Sequence, residues 1–319
     1  MRGQVMKEIL KSVKVSPEII SIAAVIGVSA IVFSMLQPAY GTWSNLYSVI
    51  LSATLPAVLA LSMAIVISAG GFDLSIGHVA GFSALMCGYF LRKAGLGTYT
   101  AIFTSVFLCT AIGLINGLLV TQMGISSFIV TLSMQFILVG VRQWITAGDS
   151  FRANSLIKAI TDSKIAGVSS LIIISLIMIL FVSFIMQKTS FGRKMQFVGA
   201  NIVASNYCGI NVRRYTLVAF VISGTIAGIV GILQFSKLTS ATINIGDGWL
   251  FNAMTIAVFS SVIFNRFRGV GIVLVALLIT MITTGINMLG VSAAYRNFVL
   301  GLILLLALLS GKYLRFNKK

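Results

Sequence analysis

The sequence predicts an all-α, polytopic integral membrane protein with about ten transmembrane helices, and three observations carry that reading. Of the 319 residues, 58% are hydrophobic and only 9% are charged, against about 25% charged in soluble domains. So few charges cannot cover a water-facing surface. The apolar residues fall into runs of roughly 18–24, long enough to cross a hydrocarbon core of about 30 Å. The short alternating strands of a membrane barrel are not visible, and in lipid each backbone amide must be paired within its own segment, which makes such runs helices.

The runs lie at about 19–36, 46–69, 74–91, 98–121, 125–146, 168–187, 215–236, 249–264, 270–290 and 294–311. The first follows Arg2, Lys7, Lys11 and Lys14 in the manner of a signal peptide. It is too long for a typical signal core and more spans follow, so it reads as an uncleaved first helix. The third follows the break Gly70-Gly71 and is the least sharply bounded. No Pro/Ser-rich linker or low-complexity segment interrupts the chain, so residues 1–319 read as a single transmembrane domain. Ile115-Asn116 through Phe128-Ile129-Val130 echoes Ile286-Asn287 through Phe298-Val299-Leu300. The offset is close to half the chain and spans an odd number of helices. That makes the halves candidates for inverted repeats of five helices each, a common transporter plan.

The net charge of +17, from 23 Lys and Arg against six acids, would point to nucleic acid in a soluble protein. Here the basic residues sit mostly between the runs, where cytoplasmic loops collect them, and no nucleic-acid partner is expected. An even number of spans puts both termini on one side. With the termini inside, Arg2, Lys7, Lys11, Lys14, Lys188, Arg193, Lys194, Arg213, Arg214, Arg266, Arg268, Lys312, Arg315, Lys318 and Lys319 are cytoplasmic. Arg92, Lys93, Arg142, Arg152, Lys158, Lys164, Lys237 and Arg296 are outside, a bias of fifteen to eight. Cys87, Cys109 and Cys208 form neither a disulfide framework nor a metal site.

Two segments interrupt the apolar pattern in an ordered way. In Gly70-Gly71-Phe72-Asp73-Leu74-Ser75-Ile76-Gly77 the glycines break a helix, and Asp73 is placed to cap the next one. Intramembrane acids are costly and often functional, but an interfacial helix cap explains Asp73 as well. His78, one turn on, fits a hydrogen-bonded packing residue better than a proton carrier. The second segment is the basic stretch of about 188–214. There Asn201 is a good helix N-cap and Gly209 a good stop. The helix between them has about two turns, too short to span and marginal alone in water. It needs a partner surface, and the small residues Ala204 and Ser205 allow close approach.

No phosphate-cradling loop, metal-spaced cluster or catalytic triad stands out. With six acids and one His, the chain is a poor enzyme candidate, and no cofactor is expected. Asn116, Gln135, Asn252 and Asn287 lie inside the apolar runs. With Asp73 they are the candidates for lining a solute pathway, since a neutral solute needs hydrogen-bonding groups and no fixed charge.

Together the two segments resemble the permease subunits of ribose-type ABC importers, within the larger family that includes branched-chain amino acid permeases. That family typically reads Gly-Gly-Ile-Asp-Leu-Ser-Val-Gly where this chain has Gly70 to Gly77. Its Pro-Phe-Ile-Val-Thr-Leu resembles Ser127-Phe128-Ile129-Val130-Thr131-Leu132. Its cytoplasmic motif appears as Gly192-Arg193, Gly199-Ala200-Asn201-Ile202-Val203-Ala204-Ser205 and Gly209-Ile210-Asn211-Val212, with Ser223-Gly224 and Ala227-Gly228 following. The resemblance covers nearly the whole chain. It implies a permease in the bacterial inner membrane, moving a small polar solute inward, by default a monosaccharide. The ATP would be hydrolysed by a separate ATPase subunit. Gly199, Asn201, Ala204, Ser205, Gly209 and Ile210 would form the coupling helix that docks on that subunit. A second permease chain, identical or not, and an extracellular or periplasmic solute-binding protein would complete the importer. Departures mark a divergent member. Where the family reads Gly-Tyr-Glu-Leu-Asp-Ala-Ile-Ala-Ala, this chain reads Gly248-Trp249-Leu250-Phe251-Asn252-Ala253-Met254-Thr255-Ile256, without either acid. Two Gly-Gly pairs appear as Ser260-Ser261 and Arg266-Phe267, and a Pro as Ser127. The competing reading is a secondary transporter or channel, which would need coupling ions and embedded ionisable residues; Asp73, His78 and Arg296 are the candidates.

Overall fold

The computed structural model describes residues 17–264 and 266–291, with Phe298, Val299, Gly301, Leu302 and Leu305 beyond them. The long apolar runs become helices α1 (Pro17–Leu36), α2 (Trp43–Ser68), α3 (Ile76–Arg92), α4 (Thr98–Gln122) and α5 (Ser127–Thr146). A short helix, α6 (Ser155–Asp162), precedes α7 (Ser170–Lys188). The basic stretch holds α8 (Ser190–Ala200) and α9 (Ile202–Tyr207). The chain continues as α10 (Val212–Leu238), α11 (Trp249–Phe264) and α12 (Gly269–Met288). Nine of the ten expected runs coincide with one of these helices. The tenth, 294–311, falls largely outside the described residues, as do the basic N-terminal residues, Arg296 and the C-terminal tail. Seven described helices are long and apolar enough to cross a membrane. Helices α3, at 17 residues, and α11, at 16, are shorter.

The chain is thus an all-α polytopic bundle with α2 and α10 at its centre. Side chains are buried almost without interruption from Leu55 to Val66 of α2. Helix α10 lies closest to α4, where Gly113 faces Gly224, Gly117 admits Leu217 and Gly228 admits Cys109. Glycines four apart let helix backbones approach, which is how membrane helices associate without a hydrophobic driving force between them. Peripheral helices turn large apolar residues outward, among them Phe103, Phe107, Phe136, Phe181 and Phe184, the surface that a lipid tail matches.

The connections collect at two ends. At one end lie the α2–α3 break, the α4–α5 link and the α8–α9 segment. At the other end, strand β1 (Phe151–Arg152) pairs antiparallel with β4 (Ser240–Ala241), while β2 (Lys164–Ile165) pairs with β3 (Val168–Ser169). An ion pair between Lys93 and Asp149 spans 3.1 Å there. Helix α6 is sealed onto α10 at this end: Ser236 Oγ donates to the Ile157 carbonyl at 2.6 Å and lies 2.7 Å from Thr161 Oγ1. Two of the cations assigned to the outer side are built into helices near that end. Arg142 belongs to α5 and is 1% exposed, and Lys237 lies in the last turn of α10. Each lies within four residues of the end of an apolar run, where the run pattern alone does not separate a helix residue from a loop residue.

Candidate functional site

The break after α2 is built by a glycine stop. The Gly70 amide donates to the Ile67 carbonyl at 2.9 Å and the Gly71 amide to the Val66 carbonyl at 3.0 Å, with Gly70 at φ +83°. This paired closure satisfies carbonyls that the helix end would leave open. The extended backbone that follows is held by the first two turns of α5. The Phe72 amide donates to Ser127 Oγ at 3.1 Å and the Leu74 amide to Thr131 Oγ1 at 3.0 Å. Ser127, which replaces the family's Pro, therefore serves the break directly.

Asp73 is sealed inside the bundle, 2% exposed. Its Oδ1 accepts from the Ser75 amide at 3.0 Å and from Ser75 Oγ at 2.6 Å. Its Oδ2 accepts from Ser223 Oγ of α10 at 2.9 Å. Asn116 Nδ2 of α4 donates to Ser75 Oγ at 3.2 Å. Asp73, Ser75, Asn116 and Ser223 thus tie the start of α3 to α4 and α10. Each oxygen of Asp73 is engaged with a serine, and the residue at the N-cap position of α3 is Ser75, so Asp73 braces the start of that helix without being the cap expected of it.

The α8–α9 segment is ordered by the same kind of chemistry. Asn201 Oδ1 accepts from the Ala204 amide at 2.9 Å, the N-cap its position called for. The Gly209 amide donates to the Asn206 carbonyl and the Ile210 amide to the Ser205 carbonyl, both at 3.0 Å, with Gly209 at φ +72°. Ser205 is buried; its Oγ donates to the carbonyls of Phe197 and Asn201 at 3.0 and 2.8 Å and fastens α9 onto the end of α8. Ala204 is exposed, as are the large apolar residues Phe197, Ile202, Val203 and Tyr207. The platform also touches the break. A Cβ placed on Gly199 would lie 2.5 Å from the Ser68 carbonyl oxygen and 3.0 Å from the Gly70 nitrogen.

A third cluster was not expected. The segment 242–248 between β4 and α11 enters the bundle against α3. It closes on Gly77 and Gly81, where a side chain would collide with the Ile245 and Gly246 backbone. Arg142 holds it: Nη1 donates to the Ile245 carbonyl at 2.6 Å and Nη2 donates to His78 Nδ1 at 2.9 Å. Asp247 Oδ1 lies 3.7 Å from Arg142 Nη2 and 3.8 Å from His78 Nδ1. His78 is therefore a hydrogen-bonded packing residue, in line with its expected role.

Between α2, α10, α11 and α12 lie two adjoining cavities of about 140 Å³ and 210 Å³ that share Ser52, Pro56 and Asn252. The smaller is bounded by Gln234, Lys237 and Trp249, the larger by Thr280, Thr283, Thr284 and Asn287. Lys237, Trp249 and Asn287 are at helix ends opposite the Gly199 platform, so the cavities occupy the half of the bundle away from it. Pro56 lacks an amide hydrogen and leaves the Ser52 carbonyl without its helical donor. Of the expected lining residues, the structure brings Asn252 and Asn287 to these cavities and places Asp73 and Asn116 in the sealed network. Gln135 lies on α5, which packs against α3 and α4 and away from the cavities. Sequence reasoning passed over Ser52, Gln234, Lys237, Thr280, Thr283 and Thr284. A signal was present: Thr280, Thr283, Thr284 and Asn287 repeat at i, i+3, i+4 and i+7, one polar stripe on an otherwise apolar helix.

The chain is 29% identical over 296 residues to the ribose import permease protein RbsC of Escherichia coli strain K12, covering 91% of this chain and 92% of that one. It is 28% identical to the D-allose transport system permease protein AlsC of the same organism, covering 89% and 88%. The ribose import permease protein RbsC of Bacillus subtilis is 27% identical, with 88% of each chain covered. No solved structure matches the chain. Residues 45–308 match the family described as branched-chain amino acid transport system / permease component, a match that takes in the Gly70 break, the α8–α9 platform and the cavities, and the chain belongs to that family.

Proposed function

We propose that this chain is the transmembrane permease subunit of an ABC importer in a bacterial inner membrane. It moves a small polar solute, most simply a monosaccharide, inward with ATP hydrolysed on a separate subunit. The contact between Gly199 and Gly70 carries the reading. A surface helix of six residues is marginal in isolation, yet α9 exposes Ile202, Val203 and Tyr207 on a platform whose Gly199 rests on the α2–α3 break. A push on α9 from an ATPase is delivered to that break, and from there through Asp73 and Ser223 to α10, which bounds the smaller cavity. The cavities lie toward the opposite end, where a solute handed over by an external binding protein arrives.

In this arrangement residues of about 188–214 form the cytoplasmic coupling segment, and Gly199, Asn201, Ala204, Ser205, Gly209 and Ile210 shape it. Both termini are cytoplasmic. The ribose and allose permeases among the relatives support a sugar cargo. A second permease chain completes the pathway. The test is co-expression with candidate ABC ATPase subunits from the same organism. Co-purification together with ATP-dependent uptake is expected. Uptake that proceeds without ATP or an ATPase partner would instead identify a secondary transporter or channel.

A further inference from the structure

Among the described residues, Lys237 is the only cation bounding the cavities. It is half-buried in the last turn of α10, and its Nζ donates to the Leu51 carbonyl at 3.5 Å. Among the described residues no carboxylate lies within ion-pair range of it. The helix end and the lysine stem account for part of its placement, since a C-terminal dipole favours a cation and long side chains reach toward water. They do not account for a lone ammonium facing a cavity whose other polar groups are neutral. An unpaired charge in a membrane bundle is costly and marks a pathway by default.

We infer that the cavity selects an acidic monosaccharide, a sugar carrying one carboxylate such as a uronate or aldonate, with Lys237 as the residue that recognises the charge. This rests on the permease reading and narrows its cargo. The neighbouring groups fit such a solute. Gln234, Asn252 and Ser52 offer neutral donors and acceptors to hydroxyls, and Trp249 offers an aromatic wall at the same cavity. A single ammonium balances one carboxylate. A phosphate monoester carries about 1.5 to 2 negative charges at pH 7 and would leave the site with excess negative charge. Charge-assisted hydrogen bonds are about twice as strong as neutral ones, so the lysine discriminates an acidic sugar from its neutral counterpart.

Trp249 supplies a reporter. The chain has three tryptophans, and Trp43 and Trp144 are exposed; W43F/W144F leaves Trp249 alone. The purified full-length chain in detergent is titrated with D-glucuronate, D-glucose and D-glucose 6-phosphate at matched ionic strength. The expected result is a saturable change in emission that needs at least about tenfold less glucuronate than either other sugar, a tenfold ratio corresponding to about 1.4 kcal/mol. Lys237→Gln should weaken the glucuronate response by about tenfold or more and leave the glucose response unchanged, while Lys237→Arg restores it. An equal response to glucose and glucuronate, a tighter one to the phosphate, an unaltered titration in Lys237→Gln, or no response to any probe overturns the inference. ATPase co-purification read on the same preparations separates the two claims. If it persists while glucuronate selectivity is absent, the charge-recognition role fails and the permease reading stands.

Discussion

Gly199 of α8 packs directly on Gly70 at the end of α2, with the Gly70 nitrogen 3.0 Å from where a Gly199 Cβ would stand and the Ser68 carbonyl oxygen 2.5 Å away. Both neighbours are backbone, so neither can swing aside. Gly199→Ala is expected to push the α8–α9 platform off the break, an overpacking cost of about 1–3 kcal/mol. Uptake should fall by about tenfold or more while membrane insertion is unaffected. Measured transport beside expression level checks this, and wild-type uptake in Gly199→Ala would show that the contact transmits nothing.

The platform's own helix should be required in the same way. Gly209 sits at φ +72°, a backbone that a β-branched residue adopts only with strain. Pro at Ala204 would remove the amide that donates to Asn201 Oδ1 and so strip α9 of its N-cap. Gly209→Val and Ala204→Pro are expected to abolish ATP-driven uptake and weaken co-purification of the ATPase, with normal amounts of chain in the membrane. Retention of both properties in both variants would remove α9 from the coupling role.

Asp73 should tolerate loss of charge and not loss of its oxygens. In Asp73→Asn the amide oxygen still accepts from Ser75, and the amide hydrogens can donate to Ser223, whose hydroxyl also accepts. Substantial transport is expected to remain. In Asp73→Leu the Ser75 amide and the hydroxyls of Ser75 and Ser223 lose their acceptor, and each buried unsatisfied group costs about 1–3 kcal/mol. The variant should be poorly folded, read as loss of a monodisperse detergent-solubilised peak. An inactive but well-folded Asp73→Asn would show that the charge itself is used.

Arg142 should act as the anchor of segment 242–248. Arg142→Gln cannot reach both the Ile245 carbonyl and His78, and a shortened side chain leaves a buried carbonyl unpaired. Hydrogen exchange measured by mass spectrometry is expected to show faster exchange across 242–248 with the helices of α2 and α10 unaffected. Equal protection in the variant would place the anchoring elsewhere, in the Gly77 and Gly81 contacts.

What the sequence made legible follows from the range over which each signal acts. Helix runs, the stops at Gly70 and Gly209 and the cap at Asn201 are set by neighbours within a few residues, and the structure reproduces them. The Arg142 cluster joins residues 103 and 64 positions apart. Nothing local distinguishes a buried arginine near a helix end from one in an outer loop, and the polar segment 242–248 reads as a surface connection until Gly77 and Gly81 are seen to admit it. Likewise Asn116 and Asn252 are both amides in apolar helices. Only packing assigns one to a sealed network and the other to a cavity.

That division yields the last prediction. In a chain with Cys87, Cys109 and Cys208 replaced, single cysteines at Asn252, Asn287 and Thr283 should react with a small water-soluble thiol reagent, because these positions border the cavities. A cysteine at Asn116, 1% exposed, should be inert, and one at Gln135 should report the α5 packing face instead of the cavity. The competing explanation is that the amides only hold neighbouring helices together, a contribution averaging about 0.6 kcal/mol in membranes; it predicts inert thiols throughout. Nucleotide supplies the second arm. If the ATPase moves the α2–α3 break through Gly199, the helices around the cavity shift with it, and the reaction rates at Asn252 and Asn287 should differ between ATP-bound and nucleotide-free complexes. Thiols that react at the same rate in both states would describe a static crevice. Unreactive thiols at Asn252, Asn287 and Thr283 in every state would remove the cavity from the solute pathway.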